Sequence, residues 1–135
     1  MSYSALLAET YRLLRDNPEI LASLQHKIQY IMIDEYQDTN YVQEQLIFLL
    51  GTESRNICVV GDDDQSLYRF RGATVRNILE FADRWGRNEC KVVKLMLNYR
   101  STPAIVKFAS EWIEGTGDFF HWGNFRNPKR PEAFK

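Results

Sequence analysis

Apolar and polar positions in this chain alternate between two rhythms. Leu7, Tyr11 and Leu14 repeat at helical spacing, and Asn17-Pro18 then supplies a cap and a first-turn residue for a second short helix, since proline has no amide hydrogen to lose there. Ile28 to Ile33 is a nearly continuous apolar run, which predicts a strand covered on both faces. Val42, Leu46, Leu49 and Leu50 return at i, i+4, i+7 and i+8, the stripe of an amphipathic helix. Ile57-Cys-Val-Val60 predicts a second buried strand, ended by Gly61. Val75, Ile78, Leu79, Ala82 and Trp85 form another helical stripe, and Val92 to Leu97 predicts a third strand. Thr102-Pro103 then caps a helix whose apolar face is Ile105, Phe108, Ala109, Trp112 and Ile113. Strands alternating with helices predict an α/β fold, with a parallel sheet joined by right-handed crossovers. At least three parallel strands are expected, near 28–33, 56–60 and 92–97.

After Gly115 the rhythm stops. Gly115, Gly117 and Gly123, then Pro128 and Pro131, break any regular pattern, and the segment reads as a loop or extended tail. From His121 onward it carries Arg126, Lys129, Arg130 and Lys135 against Glu132 alone. A basic tail can touch phosphate, although such tails are more often simply solvated.

The 135 residues suit one compact domain or a piece of a larger one, and 44% hydrophobic content allows a real core. The net charge is −1, so any nucleic-acid contact must come from a local patch. Cys58 and Cys90 lie far apart and share no ligand spacing with His26 or His121, which points to two reduced thiols in a cytosolic protein. No stretch approaches the roughly 20 apolar residues that span a bilayer.

The chemistry concentrates at strand ends, where ligands bind in open α/β sheets. Ile31-Met-Ile-Asp-Glu-Tyr-Gln-Asp-Thr39 delivers Asp34 and Glu35 there. An Asp in that place can hold a divalent cation, and the adjacent Glu can orient or deprotonate a water, a pairing suited to nucleotide hydrolysis. An Asp-Glu pair alone is more often a plain acidic turn. The second strand runs into Gly61-Asp-Asp-Asp-Gln-Ser-Leu-Tyr-Arg-Phe-Arg-Gly-Ala73. Gln65 has an amide able to bond a phosphate oxygen or hold a water. Ligation of one metal by all three aspartates is disfavoured, because successive residues point in different directions. Tyr68 and Phe70 interleave with Arg69, Arg71 and Arg76, a composition that serves equally for stacking on unpaired bases or for core aromatics flanked by surface arginines. The third strand ends in Leu97-Asn-Tyr-Arg-Ser-Thr-Pro103, where Arg100 can reach a phosphate and Tyr99 can stack on a nucleobase. An isolated arginine at a helix start is more often a surface ion-pair partner.

In order and spacing, the three strings closely resemble motifs of the UvrD/Rep/PcrA group of superfamily-one DNA helicases. Asp34 to Thr39 resembles the Walker B motif, Val59 to Ala73 motif III, and Asn98 to Pro103 motif IV. The resemblance extends from the first helix to about residue 114. It implies a partial RecA-like fold of the P-loop NTPase type, a parallel sheet with flanking helices. Residues 1–97 would be the C-terminal half of the first RecA-like ATPase domain, and 98–135 the entrance to the second plus a basic tail. It further implies an ATP-dependent DNA helicase acting with ATP and Mg2+ on single-stranded DNA, cytoplasmic and serving DNA repair. By resemblance Asp34 would bind the magnesium of MgATP, Glu35 would be the catalytic base and Gln65 would sense the γ-phosphate. Arg100 would be an arginine finger and Tyr99 would lie near the adenine. Tyr68, Phe70 and Arg71 would face single-stranded DNA.

Two departures stand out. The family usually has Trp where this chain has Phe70, which keeps a stacking face but loses area and the indole donor. No Gly-x-x-x-x-Gly-Lys-[Ser/Thr] loop occurs, nor any Gly-Lys pair. That loop supplies an amide nest, a lysine and a hydroxyl ligand of magnesium. The isolated chain is therefore expected to be inactive, to need the rest of the motor as partner, and to self-associate through exposed sheet edges. Two other functions compete. One is a non-enzymatic module that binds single-stranded DNA or a helicase partner. The other, weaker one is a metal-dependent nuclease built from Asp34, Glu35, Asp38 and Asp62.

Overall fold

The computed structural model describes residues 2–66, 76–86, 88–117 and 131–134. It divides into two compact units, Met1–Ile78 and Leu79–Lys135.

In the first unit, helix α1 (Tyr3–Asp16) begins where Ser2, in extended conformation, accepts the Ala5 amide on its hydroxyl at 3.3 Å. Leu14 is its buried residue, and the helix packs on α2 (Pro18–Lys27) and α3 (Tyr41–Gly51). Asn17 occupies the expected cap position and Pro18 the first turn, but the Asn17 side chain makes no capping bond. Its amide instead donates to the Leu13 carbonyl at 2.7 Å. With its side chain turned back to the end of one helix, Asn17 does not present its oxygen to the amides that open the next.

Strands β1 (Ile31–Ile33) and β2 (Ile57–Val59) pair in parallel, with Ile31 opposite Ile57, Met32 opposite Cys58 and Ile33 opposite Val59. Helix α3 connects them. A reciprocal cap starts it: Asn40 Oδ1 accepts the Gln43 amide at 3.0 Å, and Gln43 Oε1 accepts the Asn40 amide at 2.9 Å. At its other end Gly51 is buried, and a Cβ there would collide with the Ile57 side chain.

The sheet departs from the expectation of two covered faces. Ile31, Ile33, Ile57 and Val59 are half-buried, whereas Met32 is 80% exposed and its register partner Cys58 is also exposed. Strand periodicity sends alternate side chains to opposite faces, so a cover on the isoleucine face leaves the Met32 face open.

Helix α4 (Arg76–Trp85) spans the boundary between the units in sequence. Phe81 is buried, and its ring lies 6.3 Å from that of Trp85 one turn on. The third expected strand is corrected by the structure. Residues 91–96 carry no strand; only β3 (Leu97–Asn98) forms, and it pairs in parallel with β4 (Glu132–Ala133) rather than with β1 or β2. The bonds that start this ladder are Glu132 N to Met96 O and Phe134 N to Asn98 O, both 2.8 Å. Apolar residues become a strand only where a neighbouring backbone meets them, and among the described residues that meeting begins at Met96. Leu95 stands 84% exposed just before it. Part of the expected loop-like tail supplies the partner.

Helix α5 (Pro103–Gly117) starts with Val106 N bonded to Thr102 O at 3.1 Å and packs against β4. The covered line is Val106, Ser110 and Ile113, spaced i, i+4 and i+7. Ile105, Phe108 and Trp112, expected in the core, are exposed. A two-residue strand is too small to cover the roughly 100°-wide stripe of an amphipathic helix. Among the described residues no helix is long and apolar enough to cross a membrane.

Candidate functional site

Parallel pairing of β1 and β2 sends the loops after both strands to one edge of the sheet. The ladder continues past the strands, with Val60 N bonded to Ile33 O at 2.8 Å and Tyr36 N to Val60 O at 2.9 Å. Asp34 and Glu35 stand at the end of β1, both exposed. Glu35 has φ 50° and ψ 43°, the left-handed region. A side-chain-bearing residue costs about 1–2 kcal/mol there. Asp34 Oδ1 accepts the Glu35 amide at 2.9 Å and so steadies the turn. A short 3-10 turn, Tyr36–Asp38, follows.

Beneath the two carboxylates lies a polar core. Among the described residues the largest fully buried side chains are Tyr36, Gln37, Glu44 and Asn77, with no aliphatic residue among them. The Tyr36 hydroxyl donates to Glu44 Oε1 at 3.3 Å. Thr39 Oγ1 donates to Tyr36 O at 2.6 Å, and Asn77 Nδ2 donates to Thr39 O at 3.2 Å. Gln37 Nε2 donates to Glu35 Oε2 at 2.7 Å. Pattern reading missed this core, because it looks for apolar spacing and these residues pair by hydrogen bonds.

After β2 comes Gly61, where a Cβ would sit 2.5 Å from Gln37 Oε1 and 3.2 Å from the Tyr36 amide. Asp62 organises the turn that follows. Its Oδ1 accepts the Asp64 amide at 3.1 Å, its Oδ2 accepts Gln65 Nε2 at 2.8 Å, and its own amide donates to Gln37 Oε1 at 3.0 Å. Asp63 is buried, Asp64 half-buried and Gln65 exposed. Of the three aspartates, Asp63 alone is buried, and Asp62 and Asp64 are half-buried. The described run ends at Ser66; Tyr68, Phe70 and Arg71 lie outside the described residues.

Among the described residues, no group of three or more His, Cys, Asp or Glu side chains is placed to hold a metal. The four-carboxylate nuclease set finds no support. Both Asp62 oxygens and one Glu35 oxygen already accept hydrogen bonds. A nucleotide-bound Mg2+ has smaller demands: one or two carboxylates, with phosphate oxygens and waters completing the shell. Asp34, exposed and with its Oδ1 bonded only to the adjacent amide, fits that role.

In the second unit, Asn98 Oδ1 accepts the amides of Arg100 and Ser101, each at 2.9 Å. This side-chain turn holds Tyr99 and Arg100 at the end of β3, both exposed. The Tyr99 ring lies 4.7 Å from that of Phe134, with 36° between the planes. Phe134 follows β4 and carried no signal in a tail read as irregular.

A family model described as "UvrD/REP helicase N-terminal domain" matches residues 1–85. The chain is 42% identical over 118 residues to the ATP-dependent DNA helicase PcrA of Staphylococcus aureus strain Mu50, covering 87% of this chain and 16% of that protein. It is 45% identical over 114 residues to the PcrA of Staphylococcus epidermidis strain RP62A, covering 84% of this chain and 15% of the relative. The chain therefore spans about one sixth of the length of the curated relatives it matches.

Proposed function

Since the chain belongs to the UvrD/REP helicase N-terminal domain family, we propose that it is part of an ATP-dependent DNA helicase motor that moves on single-stranded DNA. The observation that carries this reading is the shared edge. One parallel strand pair brings Asp34 and Glu35 beside the Asp62–Gln65 turn, and the run expected to meet DNA begins directly after Ser66. In this reading residues 1–97 are the C-terminal half of a RecA-like ATPase domain, and 98–135 are the entrance to a second with a basic tail. The remainder of the motor is the partner that completes the site.

Asp34 would hold the magnesium of MgATP. That ion supplies charge neutralisation at the phosphates. Glu35 would take the proton of the attacking water, and Gln65 would bond the γ-phosphate once its amide leaves Asp62. Arg100 would stabilise charge on the transferring phosphoryl group, with Tyr99 near the adenine. Tyr68, Phe70 and Arg71 would meet DNA. Alone, the chain is expected to show no meaningful hydrolysis, since its 135 residues contain no phosphate-cradling Gly-Lys loop.

The test replaces the matched segment of Staphylococcus aureus PcrA with this chain and measures ATP hydrolysis with and without single-stranded DNA. DNA-stimulated turnover is expected, and Glu35→Gln should lower kcat by about 10²–10⁴-fold. Turnover indifferent to Glu35→Gln would defeat the assignment.

A further inference from the structure

Gln37 has no part in the roles assigned above, yet it is a buried side chain at this edge bonded to both of its loops. It is 1% exposed, and both ends of its carboxamide are used. Nε2 donates to the Glu35 carboxylate at 2.7 Å, and Oε1 accepts the Asp62 amide at 3.0 Å. Its backbone carbonyl accepts the Ser66 hydroxyl at 3.5 Å. The carboxamide has one workable orientation. Rotated by half a turn, its oxygen would face the Glu35 carboxylate and its NH2 would face the Asp62 N–H, a repulsion at each end. Gly61 makes room for it, since a Cβ there would fall 2.5 Å from Gln37 Oε1.

We propose that Gln37 is a positioning residue that links the carboxylate of Glu35 to the backbone of the Asp62–Ser66 turn. The proposal deepens the helicase reading and rests on it for the role of Glu35 as base. Glu35 is exposed, so its carboxylate keeps one direction only where a partner fixes it. Gln37 supplies that partner. When the Glu35 carboxylate turns toward a water, its hold on Nε2 is lost and the carboxamide is free to shift. The amide at the other end of the same group is the one that anchors the Asp62 turn. Asp62 in turn fixes Gln65 through Oδ2. One planar group thus makes the position of the Glu35 carboxylate felt at Gln65 and at Ser66, the last described residue before the expected DNA-contacting run.

Two experiments test this. The first uses the 135-residue chain and NMR, with neither ATP nor DNA. Glu35→Ala should shift the Asp62 amide resonance and speed its hydrogen exchange. With Gln37→Met in place, Glu35→Ala should add nothing further at Asp62. If Gln37→Met lowers the melting temperature too far, Gln37→Glu serves instead: it keeps an oxygen for the Asp62 amide but sets like charge against Glu35, so Glu35→Ala should then slow exchange at Asp62 instead of speeding it. An Asp62 amide that ignores Glu35→Ala, or that responds equally with and without Gln37, would overturn the proposal. The second experiment uses the PcrA chimera. Gln37→Met should lower the DNA-stimulated kcat by about tenfold while KM for ATP stays within about twofold. Parallel loss of kcat and of thermal stability, with KM rising in step, would reduce Gln37 to a structural residue. Failure of the helicase reading is seen separately, as hydrolysis that survives Glu35→Gln while the amide coupling persists.

Discussion

At the scale of single residues, this protein places hydrogen bonds where most domains place aliphatic carbon. Tyr36 and Glu44 are both fully buried and share a 3.3 Å hydrogen bond. Tyr36→Phe keeps the ring and removes that donor, leaving a buried carboxylate with fewer partners. The expected cost is about 1–3 kcal/mol, read as a lower urea midpoint at unchanged slope. Phe70 makes a contrasting case in the chimera. Phe70→Ala should weaken single-stranded DNA binding about tenfold or more, since a stacked base is worth roughly 1–3 kcal/mol, with the salt dependence unchanged because a ring releases no counterions. A sharp fall in melting temperature with normal DNA affinity would instead make Phe70 a core residue. Asp34, Glu35 and Gln65 could be singled out in the sequence because they sit at strand ends with functional side chains. Gln37 could not. Its importance lies in an amide 25 positions away, and nothing in its neighbours announces that pairing.

Secondary-structure elements were legible to the degree that they are local. The helices carry their own periodicity, so α1, α3, α4 and α5 fall where the apolar stripes place them. Strands β1 and β2 are also where expected, though shorter. The run from Val92 is as apolar as either, yet only its end, from Met96, meets a partner strand, because pairing depends on a backbone that arrives from elsewhere in the chain. The apolar face of α5 shows the same limit: its stripe was readable, but the width of its cover was not. The start of α3 is the local extreme, held by the two bonds between Asn40 and Gln43. Asn40→Ala should destabilise the first unit by about 1 kcal/mol, checked by thermal unfolding, while Asn40→Asp, which keeps the accepting oxygen, should retain most of the native stability. Equal stability of Asn40→Ala and the native chain would mean that water satisfies the helix start as well as the cap does.

Over the molecule as a whole, uncovered apolar surface is the dominant physical fact. Tyr30, Met32 and Val60 are exposed in the first unit, and Ile105, Phe108 and Trp112 in the second. Exposed apolar side chains in such number promote association. Met32→Lys should lower concentration-dependent association in sedimentation velocity without lowering the melting temperature, because Met32 is 80% exposed and little of its packing is lost. Unchanged association would shift attention to the helix face in the second unit. The register of the strand pair adds one more consequence. Cys58 lies opposite Met32 on the open face, while Cys90 is less exposed. A thiol in that position is a ready-made stopwatch: its alkylation half-life by a small maleimide measures how often the face is uncovered. Whatever binds there, whether another copy or the remainder of a motor, will announce itself as a slower clock at Cys58.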